Sequence, residues 1–363
     1  MRRIIGIISA ALAIAAITAP SAATASAAQQ QAPSLDTVGL GGRLGSGSGL
    51  EAPRRGPKTG DGSGGFIYRN GRYSPLDSVD GLITSHVAIN NRGQTTGAYL
   101  RSELDSGGGP LDPGAFHGFV SDRSGDYRPF DVAPGPSTLP YDINDRGTTV
   151  GLYGNAVTLE GGSFLRKPNG DVSTVEVPGA STTGVGGINN RGALVGGYLD
   201  ADGASRAFVM RGRRVTTLDP PGAAADPAAA NVFVNDLNDR GQAVGCFADA
   251  NGTYHGFRYD KVRFTRIDPP GAANVPKYAT TCALGINNGG QVVGQYVDAA
   301  GMLHGYLWQR GRGFETIDLP RGAPLVGPAG DRGTIAADIN DRGEILLPIP
   351  GGFYKGRVAS IGG

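Results

Sequence analysis

From Phe66 onward, short apolar bursts alternate with clusters of Asn, Asp, Gly and Pro. Each burst is the length of a β-strand, and the clusters hold turn-forming residues, so the pattern predicts strands joined by tight turns. One unit recurs: an apolar strand ending in Ile or Leu, a polar turn, and a second apolar strand. It reads AINNRGQTTGA from Ala88, DINDRGTTVGL from Asp142, GINNRGALVGG from Gly187, DLNDRGQAVGC from Asp236, GINNGGQVVGQ from Gly285 and DINDRGEILLP from Asp338. The central residues Ile89, Ile143, Ile188, Leu237, Ile286 and Ile339 stand 54, 45, 49, 49 and 53 residues apart. A period of this size with four strands per unit is that of a β-propeller blade.

The fifth repeat shows the four strands. TCALGI (Thr281 to Ile286) is predicted as the inner strand, QVVGQYV (Gln291 to Val297) as the second, HGYLWQ (His304 to Gln309) as the third and FETIDL as the fourth. Each third strand carries one aromatic: Phe119, Phe164, Phe208, Phe257, Tyr306 and Phe353, with Phe66 as a seventh. An aromatic at a fixed strand position reads as core between stacked blades. The fourth strands run into Pro, as in VPGA from Val177 and DPPG from Asp219 and Asp268. Proline lacks the N–H that a ladder needs, so it suits the outer edge.

The residue before the central Ile alternates between Ala or Gly (Ala88, Gly187, Gly285) and Asp (Asp142, Asp236, Asp338), and the pair after it alternates between Asn-Asn and Asn-Asp. Such an alternation closes without a seam only around an even number of blades, which predicts six. In that arrangement FIYRNGRYSPLD (Phe66 to Asp77) zips onto the last blade and GGFYKGRVASIGG is left over. Seven third-strand aromatics make seven blades the alternative.

Composition agrees with an all-β fold: 62 Gly and 24 Pro interrupt helices, and no stretch has sustained helical periodicity. Ahead of the repeats, Arg2 and Arg3 precede the apolar run Ile4 to Ile17, and Ala23-Thr24-Ala25 and Ala25-Ser26-Ala27 offer small-residue cleavage sites. Residues 1–27 therefore read as a signal peptide, 28–65 as a flexible Gly/Ser/Pro-rich leader and 66–363 as the repeat domain. The expected location is secreted, with no membrane span. Without Arg2 and Arg3, 33 basic against 32 acidic residues become 31 against 32, with the signs mixed along the chain. No nucleic-acid footprint follows from that. Cys246 and Cys282 are expected to form a disulfide in an oxidising compartment; two buried thiols or half of a metal site are the alternatives.

At these residues the sequence resembles the extracellular repeat family named for a His-Ala-Phe tripeptide, or HAF repeat, whose units look like G-I-N-x-x-G-x-V-V-G followed by H-A-F-L-W. The resemblance runs from about Phe66 to the C-terminus. The tripeptide is altered here to His117-Gly118-Phe119, His255-Gly256-Phe257 and His304-Gly305-Tyr306, and the His is lost at Arg206-Ala207-Phe208 and Ser163-Phe164. The resemblance implies export and the repeat fold; it carries no reaction.

The repeated N-N-R-G and N-D-R-G strings have the chemistry of hairpin turns, where Asn and Gly tolerate positive φ and the Asn side chain bonds nearby backbone. Clustered oxygens make calcium the one cofactor that the strings admit, but they lack the alternating ligands and distant acid of a calcium loop. Around an axis, Asp142, Asp236 and Asp338 would form a pseudo-threefold ring, either holding a cation or basic ligand or bonding the neighbouring blade's turn. His117, His255 and His304 occupy one strand position on separate blades, so they do not converge. His86, on the first inner strand beside the axis, is the histidine that departs from the pattern. The insertion Tyr99 to Ala115, with Arg101, Glu103 and Asp105, is the candidate contact loop.

These features lead us to expect a monomeric exported binding or surface-scaffold module for an extracellular glycan or protein, with no assigned catalysis. The alternative is a secreted propeller lyase or glycoside hydrolase acting on a polysaccharide or secondary metabolite.

Overall fold

The bursts of apolar sequence form antiparallel sheets, each a wedge of four strands running outward from a common axis. The computed structural model of the protein describes residues 54–55, 64–79, 83–100, 116–132, 137–154, 161–225, 231–273, 281–319 and 333–348. Blade 1 takes β4 (Ile83–Ile89), β5 (Thr95–Leu100), β6 (Phe116–Ser121) and β7 (Asp126–Phe130), with β1 (Arg54–Arg55) added at its outer edge. Blade 2 takes β8 (Ser137–Ile143), β9 (Thr149–Gly154), β10 (Gly161–Arg166) and β11 (Val172–Val175). Blade 3 is β12 (Thr182–Ile188), β13 (Leu194–Leu199), β14 (Ser205–Arg211) and β15 (Arg214–Leu218). Blade 4 is β16 (Phe233–Leu237), β17 (Gln242–Ala248), β18 (Tyr254–Asp260) and β19 (Arg263–Ile267). Blade 5 is β20 (Thr281–Ile286), β21 (Val292–Val297), β22 (Leu303–Gln309) and β23 (Gly313–Ile317).

Blade 6 is assembled from both ends of the domain. The inner strands β24 (Asp338–Ile339) and β25 (Ile345–Leu347) pair with β2 (Gly65–Arg69) and β3 (Arg72–Leu76), in the order β24-β25-β2-β3. The protein is thus a six-bladed β-propeller, and the seven-bladed alternative falls. Phe66 takes the third-strand place in blade 6, opposite Leu347; Phe353, also expected in such a strand, lies outside the described residues. So do residues 1–27, read as a signal peptide, and most of the span read as leader, of which Arg54–Arg55 form β1 against β7.

The core lies between blades. Val150 of blade 2 packs with Val185, Ile188 and Phe208 of blade 3, and Val244 and Ile267 of blade 4 pack with Ile286 and Tyr306 of blade 5. The third-strand aromatics Phe119, Phe164, Phe208 and Tyr306 are fully buried. Each faces the glycine that ends the second strand's apolar run, as in Gly97 opposite Phe119, Gly196 opposite Phe208 and Gly294 opposite Tyr306. A bulge in the inner strand explains that glycine. The register shifts in blades 1 to 5, for example between Val185 and Gly187, and this carries an inner-strand carbonyl onto the glycine. A Cβ on Gly196 would stand 1.9 Å from the Gly184 carbonyl oxygen, and one on Gly97 1.9 Å from that of Ser85.

Cys246 of β17 and Cys282 of β20 form a disulfide between blades 4 and 5, and both are buried. At a sequence separation of 36, the link contributes roughly 4 kcal/mol on the chain-entropy account.

Candidate functional site

The repeated polar string closes the ring of blades. In each turn an Asn side chain folds back on its own hairpin: Asn189 Oδ1 accepts from the backbone N–H groups of Arg191 and Ala193 at 3.0 and 2.9 Å. In these repeated turns glycine alone supplies the positive φ, as at Gly192 (76°) and Gly343 (71°), and no asparagine of the repeated string has positive φ. That corrects the expectation that Asn shares this role. The other end of the same side chain leaves the blade. Asn90 Nδ2 donates to the Asn144 carbonyl, Asn144 to Asn189, Asn189 to Asn238, Asn238 to Asn287, Asn287 to Asn340 and Asn340 back to Asn90, at 3.0 to 3.2 Å.

A second circuit lies beside it and uses the alternation. Asn91, Asp145, Asn190, Asp239, Asn288 and Asp341 form a closed ring in which each backbone N–H donates to the next residue's side-chain oxygen at 2.6 to 2.8 Å. Each Asn Nδ2 donates to both flanking carboxylates; Asn190, for instance, reaches Asp145 at 2.7 Å and Asp239 at 3.0 Å. Amide donors and carboxylate acceptors must therefore alternate, which an odd ring forbids.

Asp142, Asp236 and Asp338 serve the same closure. Asp142 Oδ1 accepts from its neighbour Ile143 N–H at 2.8 Å and Oδ2 from Ile188 N–H of blade 3 at 2.7 Å. Asp236 does this for Leu237 and Ile286, and Asp338 for Ile339 and Ile89. Of the two roles expected for this trio, the geometry matches the bond to the neighbouring blade. It also explains the small residues at Ala88, Gly187 and Gly285: a Cβ on Gly285 would stand 2.8 Å from Asp338 Oδ1. The channel that these residues line encloses about 70 Å³, too little for a sugar ring.

The histidines of the altered tripeptide clamp the opposite face. His304 Nδ1 lies 2.8 Å from Asp318 Oδ1 and Nε2 3.3 Å from Asp298 Oδ2, joining the fourth strand's exit to the turn between the second and third strands. His255 joins Asp268 and Asp249 in the same way, and His117 meets Asp131. In blade 3, Arg206 Nε donates to Asp200 Oδ2 at 3.0 Å and so occupies the same place. Burial lowers the His304 pKa, but the Asp318 and Asp298 carboxylates outweigh it and hold the imidazole above its ordinary range. As expected, these histidines stay on separate blades.

His86 stands on the innermost strand of blade 1, but its ring turns into the seam between blades 6 and 1 and not into the channel. It is buried, with Nδ1 2.7 Å from Thr95 Oγ1, Nε2 3.4 Å from the Asp77 carbonyl and its ring edge-on to Phe119. Burial lowers its pKa to about 4. The seam encloses a cavity of about 430 Å³, which Glu344 also borders. Glu344 Oε2 accepts from Asn340 Nδ2 at 2.7 Å and Oε1 from Arg123. In three of the other turns Gln94, Gln242 and Gln291 accept the same Asn bond, so Glu344 is their counterpart with an added ion pair to blade 1. Arg101, Glu103 and Asp105 lie outside the described residues.

Sequence reasoning overlooked a crevice between blades 3 and 4. It encloses about 520 Å³ and is lined by Arg191, Arg211, Arg214, Arg240 and Lys261, with Thr216 and Tyr259 in its wall. The residues come from four different turns, so the signal in the sequence is their hairpin position and not their spacing. Among the described residues, no group of three His, Cys, Asp or Glu side chains is placed to hold a metal ion, and no helix is long and apolar enough to cross a membrane.

No protein-family model and no curated protein matches the chain. Among solved structures it is similar to a fungal lectin of Aleuria aurantia, described as a six-bladed β-propeller with a novel fucose recognition mode. That likeness has 11% identity and a TM-score of 0.37, covering 66% of this chain and 80% of that one. It is also similar to AofleA of Arthrobotrys oligospora, at 13% identity and a TM-score of 0.42, covering 71% and 76%. A third likeness is to the BP39L lectin of Burkholderia pseudomallei, at 14% identity and a TM-score of 0.34, covering 71% and 93%.

Proposed function

We propose that the protein is an exported glycan-binding module, an extracellular repeat protein of the His-Ala-Phe kind that works without catalysis. The observation that carries this reading is the division of labour among its polar residues. The Asn, Asp and His side chains of the repeated pattern are engaged in closing the ring or clamping a blade, as with Asn189, Asp142 and His304. The cations at the tips of the turns are exposed, and Arg191 and Arg240 of the repeated string join Arg211, Arg214 and Lys261 in lining an open crevice of about 520 Å³, large enough for one or two sugar rings. The seam cavity is a poorer candidate for acid–base chemistry. Both His86 nitrogens already face partners, the imidazole is neutral at pH 7, and both Glu344 oxygens accept hydrogen bonds. Export is supported by the Arg2-Arg3 and Ile4 to Ile17 pattern and by the disulfide.

The test is a glycan array probed with purified protein, with and without calcium, followed by mass analysis of the bound glycans. The reading predicts saturable binding to at least one glycan, unchanged by calcium, with the glycan recovered intact. Cleaved or unsaturated products would turn the assignment to a lyase or glycoside hydrolase, and silence across the array would end it.

A further inference from the structure

A formal net charge of +1 conceals a strong polarity. In an antiparallel four-stranded blade, the first and third turns emerge on one face, while the middle turn and the crossover to the next blade emerge on the other. The first turns carry Arg92, Arg146, Arg191, Arg240 and Arg342, and every third turn carries at least one Arg or Lys, from Arg123 in blade 1 to Arg72 in blade 6. The opposite face carries Asp131, Asp200, Asp249, Asp268, Asp298 and Asp318, each beside the His or Arg that it clamps. Strand order thus sorts charges that alternate along the chain into a face with an excess of cations, although Asp145, Asp239 and Asp341 also lie on it, and an acidic face.

On the basic face the imbalance is greatest in the crevice between blades 3 and 4. All five cations that line it are exposed. Among the described residues, none of them has an ion-pair partner within 4.0 Å, whereas Arg123, Arg206, Arg258 and Arg266 elsewhere do. The carboxylate at its edge, Asp239, already accepts from Asn190 N–H at 2.8 Å and from two Asn amides at 3.0 and 3.2 Å. Arg211 reaches from blade 3 to the blade 4 turn, where a Cβ on Gly241 would stand 2.7 Å from its Nη2. A cleft lined by one sign of charge focuses its field, and guanidinium forks match planar or tetrahedral oxyanions.

Resting on the glycan-binding reading, we propose that the ligand is an anionic glycan whose carboxylate, sulfate or phosphate groups dock in this crevice against Arg191, Arg211, Arg214, Arg240 and Lys261. A nucleic acid fits less well. Its backbone, laid across the face, would meet the axial carboxylates Asp145, Asp239 and Asp341. Tyr259 is the aromatic in the crevice wall, where a single strand would call for a series of stacking rings.

The experiment compares wild type with Arg211→Gln/Arg214→Gln in the crevice and Arg69→Gln/Arg72→Gln on the blade 6 turn of the same face. Each is titrated with a polyuronate, a sulfated glycan, a neutral glycan and a mixed-sequence oligonucleotide, at two salt concentrations. Unfolding midpoints serve as the fold control. Wild type is expected to bind the acidic glycans in preference, and more weakly at higher salt. The crevice variant should bind at least about tenfold more weakly, while the blade 6 variant stays within about threefold of wild type. Equal losses in the two variants would overturn the crevice as the site, and tighter binding of the oligonucleotide would overturn the ligand class. Binding of the neutral glycan alone would overturn this inference while leaving the glycan-binding reading intact. Binding to none of the four probes overturns this inference; the array then decides the broader reading on its own.

Discussion

Asp142 and His86 show how a single buried polar side chain is kept. Asp142 is buried as a carboxylate acceptor with a backbone N–H on each oxygen, one from its own blade and one from the next. A buried acceptor so matched adds net stability, and one left unmatched costs about 1 to 3 kcal/mol. His86 is kept the other way, as a neutral ring in the seam between Thr95, the Asp77 carbonyl and Phe119. Its folded pKa of about 4 lies below the ordinary 6.5, so the unfolded chain takes up a proton that the folded protein refuses. Stability is therefore full above pH 6.5 and falls as the pH drops toward 4. Over that interval wild type should lose roughly 3 kcal/mol more unfolding free energy than His86→Gln, measured by denaturant titration at each pH. Parallel losses in the two proteins would show that His86 has no such role. The sequence singled out His86 by its departure from the repeat, but the direction of its ring depends on blade packing that no local pattern encodes.

At the scale of the strand and hairpin, much of the fold was legible. The predicted inner strand Thr281 to Ile286 is β20, and the predicted third strand starting at His304 is β22, which begins one residue earlier. The aromatic of each third strand is core, as its fixed position implies. The bulge was not legible, because it is a mismatch of register between two strands and neither strand's apolar pattern encodes it. Its one trace is the glycine that closes the second-strand apolar run in blades 1 to 5, which packing requires although its backbone φ is ordinary. Gly196→Ala should thus destabilise well beyond the usual propensity penalty, by about 2 to 4 kcal/mol, because a Cβ 1.9 Å from the Gly184 carbonyl oxygen forces the strands apart. Gly203→Ala, in an exposed turn with nothing near its Cβ, carries only the cost of its φ of 75° and should lose about 1 kcal/mol. Equal losses in thermal unfolding would refute the packing account.

In the molecule as a whole, closure is the organising fact. The N-terminal hairpin completes blade 6, and Tyr68 and Tyr73 tie it to blade 5 through Glu315 and the Asp318 carbonyl at 2.9 and 2.7 Å. The alternation of Asn-Asn with Asn-Asp foretold an even ring, but the two circuits behind it were hidden, since each bond joins residues about one whole repeat apart. The charge polarity was hidden for a similar reason: Arg211 and Asp200 are near neighbours in sequence but emerge on opposite ends of β14. Both were readable in principle from hairpin parity, once the blades were known. The claim that the Asn and Asp of the repeated string are the closure itself, with only its exposed Arg left to meet a ligand, is tested most directly by denaturant unfolding of Asn189→Ala beside Arg191→Ala. Asn189 satisfies two backbone donors of its own turn and one carbonyl of blade 4, whereas the Arg191 side chain is exposed. The account predicts a loss of about 3 kcal/mol for Asn189→Ala and under about 0.5 kcal/mol for Arg191→Ala. Equal stability of the two variants would contradict it.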